Sequence, residues 1–165
     1  MKIWWQSSTP IHRLHDYRNA LTAHLDSVKR PDTEIHINGV DDGSMDLHYN
    51  AVVAINSYGP GGVLNKIMQA ADQGYDAVAI GCFLDPAMQE AREVVPIPVM
   101  GLGEASMMAA CMYGAKFSGV AFTKNNRSTM TAKRSSTVLK TVTYRSAIWA
   151  STSTKCRRAS PIRGR

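Results

Sequence analysis

The sequence predicts an α/β fold built on a parallel sheet. Short strand-like runs alternate with stretches of helical spacing over residues 1–122, the grammar of strands linked by helices. The central run, Tyr75-Asp76-Ala77-Val78-Ala79-Ile80-Gly81-Cys82, is almost continuously apolar, which suits a strand covered on both faces. A chain of 165 residues that is 44% hydrophobic can bury one compact core and still leave a tail.

Each element follows from its own pattern. Lys2-Ile3-Trp4-Trp5-Gln6 is apolar and aromatic and stops at the polar Ser7-Ser8-Thr9-Pro10, a first strand and its loop. Leu14, Tyr17, Leu21, Leu25 and Val28 recur every three or four residues, an amphipathic helix that Pro31 ends. Thr33 to Val40 alternates polar and apolar residues, as a half-buried strand does. Residues 47–73 have helical spacing, broken or bent by Tyr58-Gly59-Pro60-Gly61-Gly62, with Gly74 as the closing cap. After the central strand, Asp85 and Pro86 fit the cap and first position of a helix reaching Val94. Pro96 to Met100 is a short strand, Gly101-Leu102-Gly103-Glu104 a turn, Ala105 to Tyr113 a helix closed by Gly114, and Lys116 to Phe122 a last strand.

The pattern stops after Phe122. Residues 123–165 hold four Lys, seven Arg, seven Ser and eight Thr, and neither Asp nor Glu. The first 122 residues then carry all 13 acidic residues against eight basic ones, so the net charge of +6 averages an acidic body and a basic tail. Such a tail without periodicity reads as disordered, or as the product of a shifted reading frame. It also admits non-specific contact with nucleic acid, but only Tyr144 and Trp149 supply aromatic platforms. Nucleic acid therefore ranks below a small molecule as the expected partner.

Three cysteines, at 82, 111 and 156, form no CxxC pair, which suits a reducing compartment rather than a disulfide framework. The start turns polar after Trp5, and no apolar run reaches about 18 residues. The expectation is a cytoplasmic protein with no membrane partner. The histidines at 12, 15, 24, 36 and 48 show no HExxH or other ligand spacing, so no metal site is expected.

Cys82 is the candidate for chemistry. It ends a buried strand, where open α/β sheets bind their ligands, and a helix N-terminus just beyond would favour a thiolate. The alternative is a small hydrophobe in the core. The loop Gln6-Ser7-Ser8-Thr9 opens at the same edge, where its hydroxyls and N–H groups could hold a carboxylate or imide, or Ser8 or Thr9 could simply cap a helix. The turn 101–106 lacks the third glycine of a dinucleotide fingerprint. It could present N–H groups to an anion, or Glu104 or Ser106 could cap the helix that follows. Cys111, among Met107, Met108 and Met112, reads as core packing.

Three segments resemble the aspartate/glutamate racemase superfamily, most nearly its hydantoin racemases: Trp4–Pro10, Gly74–Glu93 and Ile97–Ser106. The resemblance spans residues 1–122. It implies a flavodoxin-like lobe, the first of two that face each other across a cleft, with the second lobe beginning near residue 122. It also implies a cofactor-independent racemase or epimerase acting on a hydantoin or amino acid; a lobe without its partner would leave apolar surface exposed, so a homo-oligomer is expected. Cys82 matches the first of the family's two cysteines. Gly81, Phe83, Ser7, Ser8 and Glu104 match positions around the substrate carbonyl and its neighbours. Related isomerases and decarboxylases share the architecture, so the same resemblance admits those reactions. The family's second cysteine would lie in a second lobe. Cys156 stands instead among Lys155, Arg157 and Arg158, so little racemisation is expected from these residues alone.

Overall fold

The computed structural model describes residues 1–45, 50–113, 116–121 and 143–148. They fall into two compact units, Met1–Met107 and a second from Met108 onward.

The first unit is an α/β layer structure. Strands β1 (Lys2–Gln6), β2 (Glu34–Asn38), β3 (Ala77–Ile80) and β4 (Val99–Gly101) form one sheet in the order β2-β1-β3-β4. Every pairing is parallel. β1 pairs with β2 from Lys2↔Glu34 to Gln6↔Asn38 and with β3 from Ile3↔Ala77 to Gln6↔Ile80. The helices are α1 (His15–Val28), α2 (Asn50–Tyr58), α3 (Val63–Asp72), α4 (Met88–Val94) and α5 (Leu102–Tyr113), and α5 crosses into the second unit. No helix among the described residues is long and apolar enough to cross a membrane.

One face of the sheet carries the core. Alternation along β1 and β3 turns Trp4, Val78 and Ile80 to that side. They pack in one cluster with Val63, Ile67 and Ala70 of α3 and with Met88 and Ala91 of α4. The α3 residues recur at steps of four and three, which places them on a single stripe. The other face is looser. α1 buries none of its residues fully, and Ile3, Trp5, Ile35 and Ile37 are only half-buried. The stripe read for α1 is real for Leu21 and Leu25, which are half-buried, but Tyr17 and Val28 are exposed.

Most expected elements are present. The break at 58–62 separates α2 from α3, with Gly61 at φ 64°, and Gly74 closes α3 at φ 72°. Residues 46–49 and Gly114 lie outside the described residues, so the start of the 47–73 helix and the last cap do too. The helix expected from Asp85 is corrected: α4 begins at Met88, and Asp85 (φ 44°) and Ala87 (φ 56°) are left-handed. The reason is tertiary, because the Asp85 carboxylate is taken by a different helix.

In the second unit, β5 (Lys116–Ala121) pairs in parallel with β6 (Thr143–Ile148), from Lys116↔Thr143 to Ala121↔Ile148. β6 lies within 123–165, where no element was expected. Its Thr-Tyr-Arg-Ser-Ala-Ile run contains three good strand formers. The rest of that segment, Cys156 included, lies outside the described residues.

Candidate functional site

The strand order reverses its direction at β1, with β2 on one side and β3 on the other. In open α/β sheets ligands bind beyond the carboxyl ends of the strands at such a reversal. Two loops meet that description here. One follows β1 (residues 7–10) and the other follows β3 (residues 81–87). The backbone joins them at their roots, where the Gly81 N–H donates to the Gln6 carbonyl at 2.8 Å.

The first loop is buried although it is polar: Gln6, Ser7, Ser8 and Thr9 are all at most 9% exposed. Gln6 accepts the Trp4 indole N–H at 2.7 Å and donates to the Ser7 carbonyl at 2.8 Å. Ser7 is used inside the loop, its Oγ accepting from the Thr9 N–H at 3.1 Å and lying 2.9 Å from Thr9 Oγ1. Neither Ser8 nor Thr9 caps a helix, because α1 starts after Leu14 without a side-chain cap. Ser8 is the exception within the loop. Its hydroxyl is buried and has no partner among the described residues, a state that costs about 1–3 kcal/mol unless water or a ligand fills it.

Asn56 of α2, 3% exposed, holds this loop from outside. Its Nδ2 donates to the Ser8 and Ser44 carbonyls, each at 2.9 Å, and so ties the loop after β1 to the loop after β2. Asn56 Oδ1, like Ser8 Oγ, is buried without a partner among the described residues. No sequence motif marks Asn56. The available signal was its place on the buried stripe of α2, three residues after Val53 and next to Ser57.

The second loop carries Cys82. The thiol is free, partly exposed, and packed at the margin of the core cluster. Cys82 therefore packs against the core and remains partly accessible. The chain turns immediately, with the Asp85 N–H donating to the Cys82 carbonyl at 2.9 Å. Asp85, 5% exposed, accepts from the Gly103 and Glu104 N–H groups, both at 2.7 Å. Both N–H groups belong to the first turn of α5, which begins at Leu102 where a turn up to Glu104 was expected, and they are presented to the Asp85 carboxylate. The two glycines make the approach possible. A Cβ at Gly101 would stand 2.2 Å from the Asp85 carboxyl carbon, and one at Gly103 would stand 2.0 Å from the Phe83 carbonyl oxygen.

Glu104 sits at this edge with its carboxylate already engaged. Arg92 donates to it at 2.6 and 3.3 Å, and to the Val99 carbonyl at 3.0 Å. Those bonds to Glu104 hold the Arg92 guanidinium above its ordinary pKa. Gly81 lies under the Trp5 indole, which occupies the space a Cβ would need. Phe83 follows Cys82 within the turn. Cys111 is a free, half-buried thiol in α5, with Met108 and Met112 beside it exposed rather than packed. Among the described residues no three His, Cys, Asp or Glu side chains gather as they would around a metal ion.

This arrangement defines a class: a parallel α/β lobe with one thiol and one open-ended polar loop at the carboxyl edge of its sheet. Comparison with known proteins narrows the class. The sequence profile of the family described as Asp/Glu/Hydantoin racemase matches residues 19–141, and the chain belongs to that family. It is similar to hydantoin racemases of Pseudomonas sp. (strain NS671), at 35% identity over 96 residues, and of Rhizobium meliloti, at 33% over 95 residues. Those matches cover 57% and 58% of this chain and 36% and 34% of the two relatives, so the matched part spans about a third of their length. The fold is that of allantoin racemases from Klebsiella pneumoniae and Pseudomonas fluorescens, each with a TM-score of 0.73. Identity is 24% and 20%, over 90% and 88% of this chain and 57% and 60% of theirs.

Proposed function

We propose that this lobe performs the proton-transfer half of a cofactor-independent racemisation, at the carbon next to a carbonyl in a hydantoin or a related amino-acid derivative. The observation that carries the reading is the placement of Cys82, a free and partly accessible thiol beyond β3 at the reversal of strand order. Family membership supports it, and so does the similarity to proteins named hydantoin racemase.

The chemistry follows from what the carbon requires. Cys82, as thiolate, accepts the proton from one face of the carbon, and the electron pair moves onto the neighbouring carbonyl oxygen. Donors aimed at that oxygen lower the barrier by holding the developing charge. Ser8 has the spare hydroxyl for this, with Phe83 contributing backbone beside the thiol. Gly81, its N–H held by the Gln6 carbonyl, gives the Trp5 indole room next to Cys82. Ser7 keeps the loop in shape. Glu104 acts at the rim, its carboxylate held by Arg92. Returning a proton to the same face restores the substrate, whereas inversion needs an acid on the opposite face. That second group belongs to the second lobe of a complete racemase. The protein is read as cytoplasmic and as a homo-oligomer.

One-sided proton transfer gives a clean test. The full chain is incubated with 5-methylhydantoin in deuterium oxide, and deuterium entering the ring carbon is followed by proton NMR against a protein-free control. Incorporation above the control that disappears in Cys82→Ser is the expected result. Incorporation equal to the control, or unchanged in Cys82→Ser, sinks the reading.

A further inference from the structure

We propose that Asp85 is a positioning residue for Cys82, fixing the thiol's loop to the start of α5. The inference rests on the role proposed for Cys82 and adds a residue that does not itself touch substrate. Three observations lead to it. The Asp85 carboxylate is buried and accepts both the Gly103 and the Glu104 N–H at 2.7 Å, so it is anchored at two points. Its own N–H closes a turn on the Cys82 carbonyl at 2.9 Å, so the anchor and the thiol share one rigid four-residue unit. The backbone on the far side is left-handed at both Asp85 and Ala87, conformations that persist only where the surroundings enforce them.

The neighbouring glycines agree with this purpose. Gly101 leaves room for the carboxylate and Gly103 for the Phe83 carbonyl, and a methyl group at either position would force the turn away. An ordinary helix cap would need neither the left-handed residues nor a turn closed on the cysteine. The anchor is also long-range, joining the loop after β3 to the helix after β4. Movement of that helix start would therefore move the thiol.

Asp85→Asn is the informative variant, because it keeps the size while offering one acceptor oxygen to two donors. A misplaced reacting group costs rate more than binding, with an ångström costing about a hundredfold. In the deuterium-incorporation assay we expect kcat to fall at least about tenfold while KM stays within about twofold. Iodoacetamide labelling of the full chain, read by peptide mass spectrometry, provides a measurement independent of activity. Cys82 should change its labelling rate at least about threefold, with Cys111 as the unchanged internal reference. If the wild-type protein shows no incorporation, the function proposed for Cys82 fails, and labelling alone decides the role of Asp85. A lower melting temperature with unchanged kcat and unchanged Cys82 labelling would mean a helix cap only, and would overturn the proposal. Should Asp85→Asn not fold by circular dichroism, Asp85→Glu, which keeps the charge on a longer arm, is judged by the same criteria.

Discussion

The two loops at the carboxyl edge of the sheet are built on opposite principles. The loop after β3 uses its buried carboxylate to hold its own backbone, at the expense of two left-handed residues. The loop after β1 keeps ordinary backbone and satisfies most of its polar groups, yet among the described residues nothing pairs with Ser8 Oγ, while Asn56 grips the loop from α2. Under the function proposed for Cys82, strain collects beside the group that must stay still, and an unfilled hydrogen bond lies where a ligand would complete it. On that reading the loop after β3 is a platform for the thiol, and the loop after β1 is a buried polar site.

Three substitutions probe this contrast, in order of expected effect. Gly81→Ala acts on the platform, since the new Cβ would stand 1.8 Å from the Trp5 ring and drive the indole off the strand end. Overpacking of this kind costs about 1–3 kcal/mol, measurable by urea unfolding, and should shift tryptophan emission. Unaltered emission and stability would show that Trp5 does not brace the platform. Asn56→Ala acts on the polar site. It removes two hydrogen bonds, one of them to the buried Ser8 carbonyl, for a loss of about 1–3 kcal/mol, offset in part because the Oδ1 that no described residue satisfies goes too. Faster amide exchange confined to the loops after β1 and β2 is the expected signature, and exchange at the wild-type rate would exclude the clamp. Ser8→Ala should have the smallest effect on stability, between no change and a gain of about 1 kcal/mol, because it deletes a buried hydroxyl that no described residue satisfies. Its effect should fall on ligand affinity, read by titration with 5-methylhydantoin. A clear loss of stability would mean that the hydroxyl is already bonded, and the contrast between the loops would fail.

Much of the fold was legible in the sequence, because the relevant signals are local. Lys2–Gln6 and Ala77–Ile80 are strands because β-formers and apolar residues run between turn residues. The α2–α3 break follows from Pro60 and three glycines. Cys82 was placed beside the strand end for the same reason, although β3 stops at Ile80 and the cysteine lies in the loop beyond it. Asp85 was misread because Asp-Pro ahead of an apolar stretch is a good local cap signal. It became an anchor for α5 only because β4 lies parallel beside β3 and brings two unfilled N–H groups within reach. Asn56 was missed because a single amide in a helix carries no periodic signal, and its partners are 48 and 12 residues away.

By itself, then, the sequence determined the alternation of strands and helices, the acidic body and basic tail, and the thiol at a strand end. Each of these depends on composition or spacing within about a dozen residues. The tertiary structure alone decided how polar groups were divided between satisfying the fold and remaining available. Hydrogen bonds join whichever donors and acceptors packing brings together, and most of those at this edge lie far apart in the chain. Ser7, Ser8, Glu104 and Asp85 looked alike as polar residues near a strand end. Packing engaged the first, third and fourth with a turn, an arginine and a helix start, and left the Ser8 hydroxyl without a partner among the described residues.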